Sequence, residues 1–223
     1  MENLLVNVDN LVFNGAGATD IRKHVRAAFH DCTKGCDARI GLDKTDNRGL
    51  EAFVQRMDRI YYNRTNSVFR DALSRPDFWV ICGRRALAMA IKAGAASSGT
   101  FPSLGATFSV FNYGRPNNTE DSDRDNNEGP FPTGLENWNE TVSIFRSSMN
   151  NQVNEAELVA LLGTHNIGAT VQTNSGFAGP WGAGADRNAL TNGLYTFLIG
   201  TGRGRNFNLV QSGSSNHADG ANR

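Results

Sequence analysis

Apolar residues recur every three or four positions through most of this chain, and that spacing decides its fold class. In the stretch 19–33, for example, Ile21, Val25 and Phe29 fall on one face of a helix. Strand-like alternation is scarce, and its best example lies at 106–113. The pattern predicts a mostly α protein with long loops and few or no strands. Helices are expected over 19–33, 47–69, 77–95, 135–149, 154–169 and 187–200.

Polar residues mark where several of these helices should begin. Asn154 followed by Glu157 fits an N-cap and its third-position acid, each side chain able to bond the other's backbone N–H. Thr19 or Asp20 is the expected N-cap of the helix at 19–33, and Asp77 is the expected cap of the helix at 77–95.

Length and charge exclude several classes of function. The 223 residues suffice for one sizeable core, so we expect a single domain over 1–223. The 22 basic and 22 acidic residues cancel, which argues against nucleic acid or an anionic membrane surface as a partner. No apolar run approaches the length of a membrane span. The Gly-, Ser- and Asn-rich end of the chain, 212–223, is expected to be a disordered tail.

Reactive side chains concentrate in "HVRAAFHDCTKGCDARI", which runs from residue 24 to 40. Arg26 and His30 are four residues apart, so on a helix they lie on one face. A guanidinium beside an imidazole disfavours the protonated imidazole, which leaves a neutral general base next to an anion stabiliser. The alternative is a surface arginine and a histidine with a structural hydrogen bond. The two residues taken alone leave both interpretations open.

The wider sequence resembles the plant-type haem peroxidase superfamily. "RAAFHDC" followed by "GCDARI" is similar to the distal helix of the secretory branch, and "ELVALLGTHNIG" is similar to the family's proximal helix. The resemblance implies haem b held between the two helices, with hydrogen peroxide and a small phenolic or aromatic donor as substrates. It implies that Arg26 and His30 cleave the peroxide and that Phe29 forms the distal wall.

Further residues take roles from the same resemblance. In "DNRGLEAF", Asn47 would orient His30 through a hydrogen bond; as an alternative or in addition, it would cap the following helix. His165 would be the iron ligand. "NSGFAGPWGA" resembles the cytochrome c peroxidase branch and places Trp181 at that branch's radical-forming tryptophan. Pro132 is expected to contact the haem.

The proximal side departs from the family pattern. Gly213 stands where the family has the aspartate that bonds the proximal histidine, and Asp186 and Asp219 are the nearby carboxylates that could replace it. Loss of that bond implies a weaker donor ligand and slower peroxide chemistry. The family's C-terminal helices are also missing, so we expect an open pocket or one capped by a homo-oligomer or another partner. The alternative function is therefore a haem-binding protein of low or no turnover with a structural, matrix or storage role.

The cysteines point to an oxidising compartment. The resemblance implies a Cys32–Cys36 disulfide and leaves Cys82 as a buried free thiol. A metal site of His30 with the two paired cysteines is the competing interpretation, but it offers too few ligands for zinc. Glycosylation sequons begin at Asn63, Asn117 and Asn139. With the cysteine pair they favour an extracellular, secreted glycoprotein, although the first residues, "MENLLVNVDNLVF", show no signal peptide.

A calcium site is the last implication of the resemblance. Asp31, the Gly35 carbonyl and Asp37 match ligands of the family's distal calcium ion, which needs about six to eight oxygens. Arg39 replaces a serine ligand and could pair with Asp37 in place of the ion.

Overall fold

The computed structural model describes residues 2–14, 18–33, 35–98, 111–117, 131–132, 136–171, 179–180 and 187–196. This part is built of helices with one pair of two-residue strands, so the mostly α class is confirmed. The α-helices are α1 (Glu2–Val8), α2 (Ala18–Cys32), α3 (Glu51–Tyr61), α4 (Val68–Ala72), α5 (Arg75–Ser98), α6 (Trp138–Ser148) and α7 (Glu155–Gly163). A π-helix covers Asp9–Phe13, and 3-10 turns cover Thr45–Asn47 and Thr164–Asn166.

The two strands form a short antiparallel pair next to α7. β1 (Ala169–Thr170) pairs with β2 (Gly179–Pro180), Ala169 opposite Pro180. Within the described residues, no helix is both long and apolar enough to pass through a bilayer. The single domain and the capping partner stay predictions.

The main core lies where α2 and α5 pack side by side. Gly83 makes that approach possible, because a Cβ at this position would lie 2.4 Å from the Ala28 Cβ. α1, the π-helix, α3 and α4 also contribute buried side chains to this core, and several of the side chains that fill it are large and fully buried. These include Leu50, Met57, Phe69 and Phe78.

A second, smaller core joins α6 to α7. Its buried members are Val142, Phe145 and Leu158, and the partly buried Phe29 of α2 packs against it. Phe29 therefore links the helix that carries His30 to the two helices that precede His165.

The capping box at the start of α7 is confirmed. The Glu157 N–H donates to Asn154 Oδ1 at 3.0 Å, and the Asn154 N–H donates to Glu157 Oε2 at 2.9 Å. The other two cap predictions are wrong. α2 already begins at Ala18, so Asp20 lies in its first turn, where it pairs with Arg56 at 2.6 Å.

The helix at 77–95 is longer than expected. It begins at Arg75, and the Ser74 hydroxyl accepts the Asp77 N–H at 3.2 Å. The buried Asp77 carboxylate instead accepts hydrogen bonds from the Gly114 N–H and the Arg115 guanidinium, both at 2.8 Å. It therefore anchors the segment 111–117 to the start of α5.

Other helix boundaries differ from the expectation. The predicted helix at 47–69 is broken into α3 and α4, because Asn63 Oδ1 accepts the N–H groups of Thr65 and Asn66 and forms a turn. Residues 2–13 are helical although no helix was expected there. The described part of 187–200 is a turn followed by helical residues at 193–196, and residues 111–113 of the expected strand are not a strand.

Candidate active site

His30 lies at the end of α2 and is oriented by Asn47. Its Nδ1 lies 2.7 Å from Asn47 Oδ1, and Asn47 Nδ2 donates to the Gly41 carbonyl at 2.8 Å. Because an amide oxygen only accepts, Nδ1 carries the hydrogen and the lone pair of the neutral ring is on Nε2. Asn47 is fully buried. It does not cap α3, which begins at Glu51.

Arg26 braces the loop that carries Asn47. Its guanidinium donates to the carbonyl of Arg48 at 3.0 Å and to the carbonyl of Asp46. These two acceptors flank Asn47 in the chain, so Arg26 fixes the backbone from which Asn47 reaches His30. Burial lowers the pKa of Arg26, while the nearby Asp46 and Glu51 carboxylates oppose that shift.

The surroundings of His30 favour a neutral ring. Burial, with smaller contributions from the charges of Arg26 and His165, lowers the pKa of His30 to about 4, against the effect of the Asn47 hydrogen bond. A pKa in this range leaves the imidazole unprotonated at neutral pH and able to accept a proton at Nε2.

His165 lies in the 3-10 turn that follows α7. Its Nδ1 donates to the Leu162 carbonyl at 3.0 Å, so the lone pair of this ring is also on Nε2. Burial lowers the pKa of His165, which favours the neutral form that binds metals.

The turn that carries His165 is held by the segment 187–196. Asn166 Nδ2 donates to the Ala189 carbonyl and to Thr191 Oγ1, both at 3.0 Å. The Gly168 N–H donates to the Arg187 carbonyl at 2.8 Å. These bonds place His165 relative to a segment that follows it in sequence.

That segment is itself docked on α5 and α7. The Leu190 N–H donates to the Ala90 carbonyl at 2.9 Å. The Tyr195 hydroxyl donates to the Val159 carbonyl, and its ring lies against Gly163 so closely that no Cβ would fit there.

Aromatic rings surround His30. Phe29 meets the imidazole edge-on, with centroids 5.7 Å apart and an interplanar angle of 79°. Phe131 lies over the imidazole, with centroids 4.6 Å apart at 32°. Sequence reasoning missed Phe131; the only signal was its position directly before Pro132, which is partly buried. Trp181, Asp186, Gly213 and Asp219 lie outside the described residues.

The cysteine predictions are confirmed. Cys32 and Cys36 form a disulfide, and Cys82 is a buried free thiol whose pKa is raised by burial. The disulfide also removes the competing interpretation of a metal site, because neither sulfur remains available as a thiolate.

Asp31 and Asp37 are brought together, but no third carboxylate, histidine or cysteine of the described residues joins them. Their Oδ1 atoms accept the same Arg39 backbone N–H, at 3.0 and 3.1 Å. Burial raises the pKa of Asp31 to about 8, and the charge of Asp37 adds to that shift. In the part of the chain that the structure describes, no group of three or more His, Cys, Asp and Glu side chains could hold a metal ion. Gly35 is exposed, and the calcium site stays a prediction.

A comparison with family models identifies the fold. The model of the peroxidase family matches residues 7–192, which is well over half of the chain. The chain belongs to the peroxidase family. Within that family it falls among the plant-type haem peroxidases, as the predicted resemblance requires.

Two curated peroxidases show the extent of the similarity. The mitochondrial cytochrome c peroxidase of Candida glabrata is 40% identical over 86 residues, which are 39% of this chain and 22% of the relative. The mitochondrial cytochrome c peroxidase of Candida albicans is 51% identical over 47 residues, 21% of this chain and 12% of the relative. The aligned stretches thus span less than a quarter of either relative. No solved structure gives a significant match.

Proposed function

We propose that this protein is a haem-dependent peroxidase that reduces hydrogen peroxide and oxidises a small phenolic or aromatic donor. One observation carries the proposal: His30 and His165 each have the Nδ1 hydrogen bonded and the lone pair on Nε2, and burial favours the neutral form of both rings. One lone pair can hold an iron and the other can accept a proton from the reactant. Membership of the peroxidase family supports the same conclusion.

The described residues fit haem b. His165 Nε2 would bind the iron, because the Leu162 hydrogen bond fixes the required tautomer. Phe29 and Pro132 would contact the porphyrin, and the predicted role of Trp181 belongs to the same proposal. Bound haem would supply the iron that binds the peroxide and the means to store oxidising equivalents between the two substrates.

The protein's own residues would then move one proton. His30 Nε2 takes the proton from the peroxide oxygen that binds and returns it to the leaving oxygen, which departs as water. Asn47 keeps the imidazole in the tautomer that permits this. Arg26 disfavours a permanently protonated His30, and its guanidinium would stabilise the negative charge that develops as the O–O bond breaks.

A second candidate function is haem binding with little turnover. It is favoured by the Leu162 carbonyl, a neutral group that accepts the hydrogen bond of His165 Nδ1. A neutral acceptor pushes less electron density onto the ring, so the iron ligand is a weaker donor. A structural, matrix or storage role would require no more than this.

The deciding experiment is hemin titration followed by reaction with peroxide. The purified protein should give a Soret band, and His30→Ala should keep the band while slowing the reaction with peroxide by about 100- to 10,000-fold. His24→Leu is the matched control, since His24 lies on the same helix in the main core and should leave the rate unchanged. A Soret band without turnover of a phenolic donor supports the second candidate. The absence of any Soret band contradicts both.

We also propose that the protein is secreted. The Cys32–Cys36 disulfide is typical of an oxidising compartment, and the sequon residues Asn63, Asn117 and Asn139 are all exposed. The two curated relatives are mitochondrial by name, which is the competing location. After expression through a eukaryotic secretory pathway, mass spectrometry should find glycans on these asparagines. Unmodified asparagines at all three positions would contradict the proposal.

A further inference from the structure

The ring of Phe131 covers one face of the His30 imidazole. The centroid separation of 4.6 Å and the angle of 32° are those of a tilted stack. Phe131 also lies 5.7 Å from Phe29, which meets the edge of the same imidazole. His30 is therefore in contact with an apolar ring on a face and another on an edge.

Among the described neighbours of the His30 imidazole, Phe131 is the side chain that we expect to control access to it. Asn47 occupies the Nδ1 edge of the imidazole. Phe29 is supported from behind by Phe145, with centroids 6.0 Å apart, and by the small core of α6 and α7. Phe131 lies on His30 and is only partly buried, so part of its side chain remains accessible. A reactant that approaches His30 Nε2 must therefore fit beside this ring.

We propose that Phe131 determines specificity for the oxidant: its ring favours hydrogen peroxide and excludes bulkier alkyl hydroperoxides from His30. The inference rests on the proposed peroxidase function. Both classes of oxidant undergo the same chemistry, in which Nε2 takes the hydroperoxide proton and returns it as the O–O bond breaks. The products are water from one oxygen and water or an alcohol from the other, and the phenolic donor supplies the two electrons and the two protons that this reduction needs. The classes thus differ only in the group that must pass Phe131.

The first test compares oxidants of different size. Phe131→Ala should lower the rate constant for hydrogen peroxide relative to that for tert-butyl hydroperoxide by about tenfold or more. The reason is that removal of the ring makes room for the tert-butyl group. Phe131→Leu should give an intermediate ratio. Phe111→Ala is the matched control, since Phe111 is also partly buried but makes its edge-on ring contact with Tyr113, with centroids 4.6 Å apart at 73°.

The second test measures binding instead of turnover. In the ferric, haem-loaded protein, Phe131→Ala should tighten the binding of 4-phenylimidazole about tenfold and leave cyanide binding unchanged, as followed by the Soret band. Unchanged oxidant ratios and unchanged ligand affinities in both Phe131 variants would overturn the inference while the peroxidase proposal stands. If Phe131→Ala does not fold, Phe131→Leu decides alone. A chain that takes up no haem overturns both proposals.

Discussion

The helix that carries His30 and the turn that carries His165 are held by different kinds of contact. α2 packs along α5 inside the main core, and its reactive side chains are fixed by Asn47 and by the Arg26 bonds to the loop. The turn at Thr164–Asn166 instead follows α7, which packs in the smaller of the two cores. It is fixed mainly by hydrogen bonds to the segment 187–196.

This difference predicts unequal local stability. Hydrophobic burial is shared by many side chains, so α2 can open only if much of the main core opens with it. A hydrogen bond contributes about 1 kcal/mol, and a few such bonds can break together without global unfolding. We therefore expect the distal half to follow the global stability of the protein and the proximal turn to open at a lower cost.

Acid should give the largest effect, and it should act on the distal half. His24 is buried against Phe13 and Phe53, and burial lowers its pKa to about 4. Its Nδ1 bonds the Asp20 carbonyl at 2.7 Å, while its Nε2 has no partner among the described residues. The unfolded chain, with a pKa near 6.5 for this group, binds the proton first as the pH falls. Stability from His24 is thus fully present above pH 6.5 and is lost towards pH 4, by about 3 kcal/mol.

Denaturant unfolding at pH 7, 5.5 and 4 measures this loss. His24→Leu should make the unfolding free energy less dependent on pH, because it replaces the titrating imidazole with an apolar side chain that can stay buried. His30 and His165 also have lowered pKa values, whereas the raised pKa of Asp31 stabilises the fold as the pH falls, so the difference between the variant and the original protein is what reports on His24. An unchanged dependence in His24→Leu would show that His24 is not the group responsible.

Two glycine substitutions on α5 should separate the halves with smaller effects. Gly83→Ala places a methyl group 2.4 Å from the Ala28 Cβ, and overpacking of α2 against α5 should cost about 1–3 kcal/mol of global stability. Gly94→Ala places a methyl group 1.9 Å from the Leu190 carbonyl oxygen. It should detach the segment 187–196 from α5 and lower the stability of that contact by about 1 kcal/mol.

Hydrogen exchange distinguishes these two outcomes. Gly94→Ala should raise the exchange rates of the Gly168 and Leu190 amides with little change in α2, whereas Gly83→Ala should raise exchange throughout the main core. Lys92→Ala, an exposed position of the same helix, should change neither. Equal exchange patterns in the two glycine variants would mean that the halves open as one unit.

The sequence predicted those features that depend on local pattern. The helical spacing gave α2 and the mostly α class, and the Asn154 and Glu157 pair gave the start of α7, because both rules operate within a few residues. The break after α3 was missed because the Asn63 side chain competes with the helix for backbone N–H groups. Phe131 was missed because a single phenylalanine in a polar stretch has no periodicity, and its partner His30 is about a hundred positions away.

Main-chain oxygens accept the Arg26 hydrogen bonds described above, and a main-chain oxygen also accepts from the Asn47 amide and another from the His165 ring. A main-chain oxygen is present whatever side chain stands at its position. Residues 46 and 48 can therefore change in size and charge and still receive Arg26, whereas one inserted or deleted residue between 41 and 48 would move these acceptors at once. Selection on this part of the protein would act on the length of the loop more than on the identity of its residues. Relatives with the same geometry could therefore differ there at almost every position.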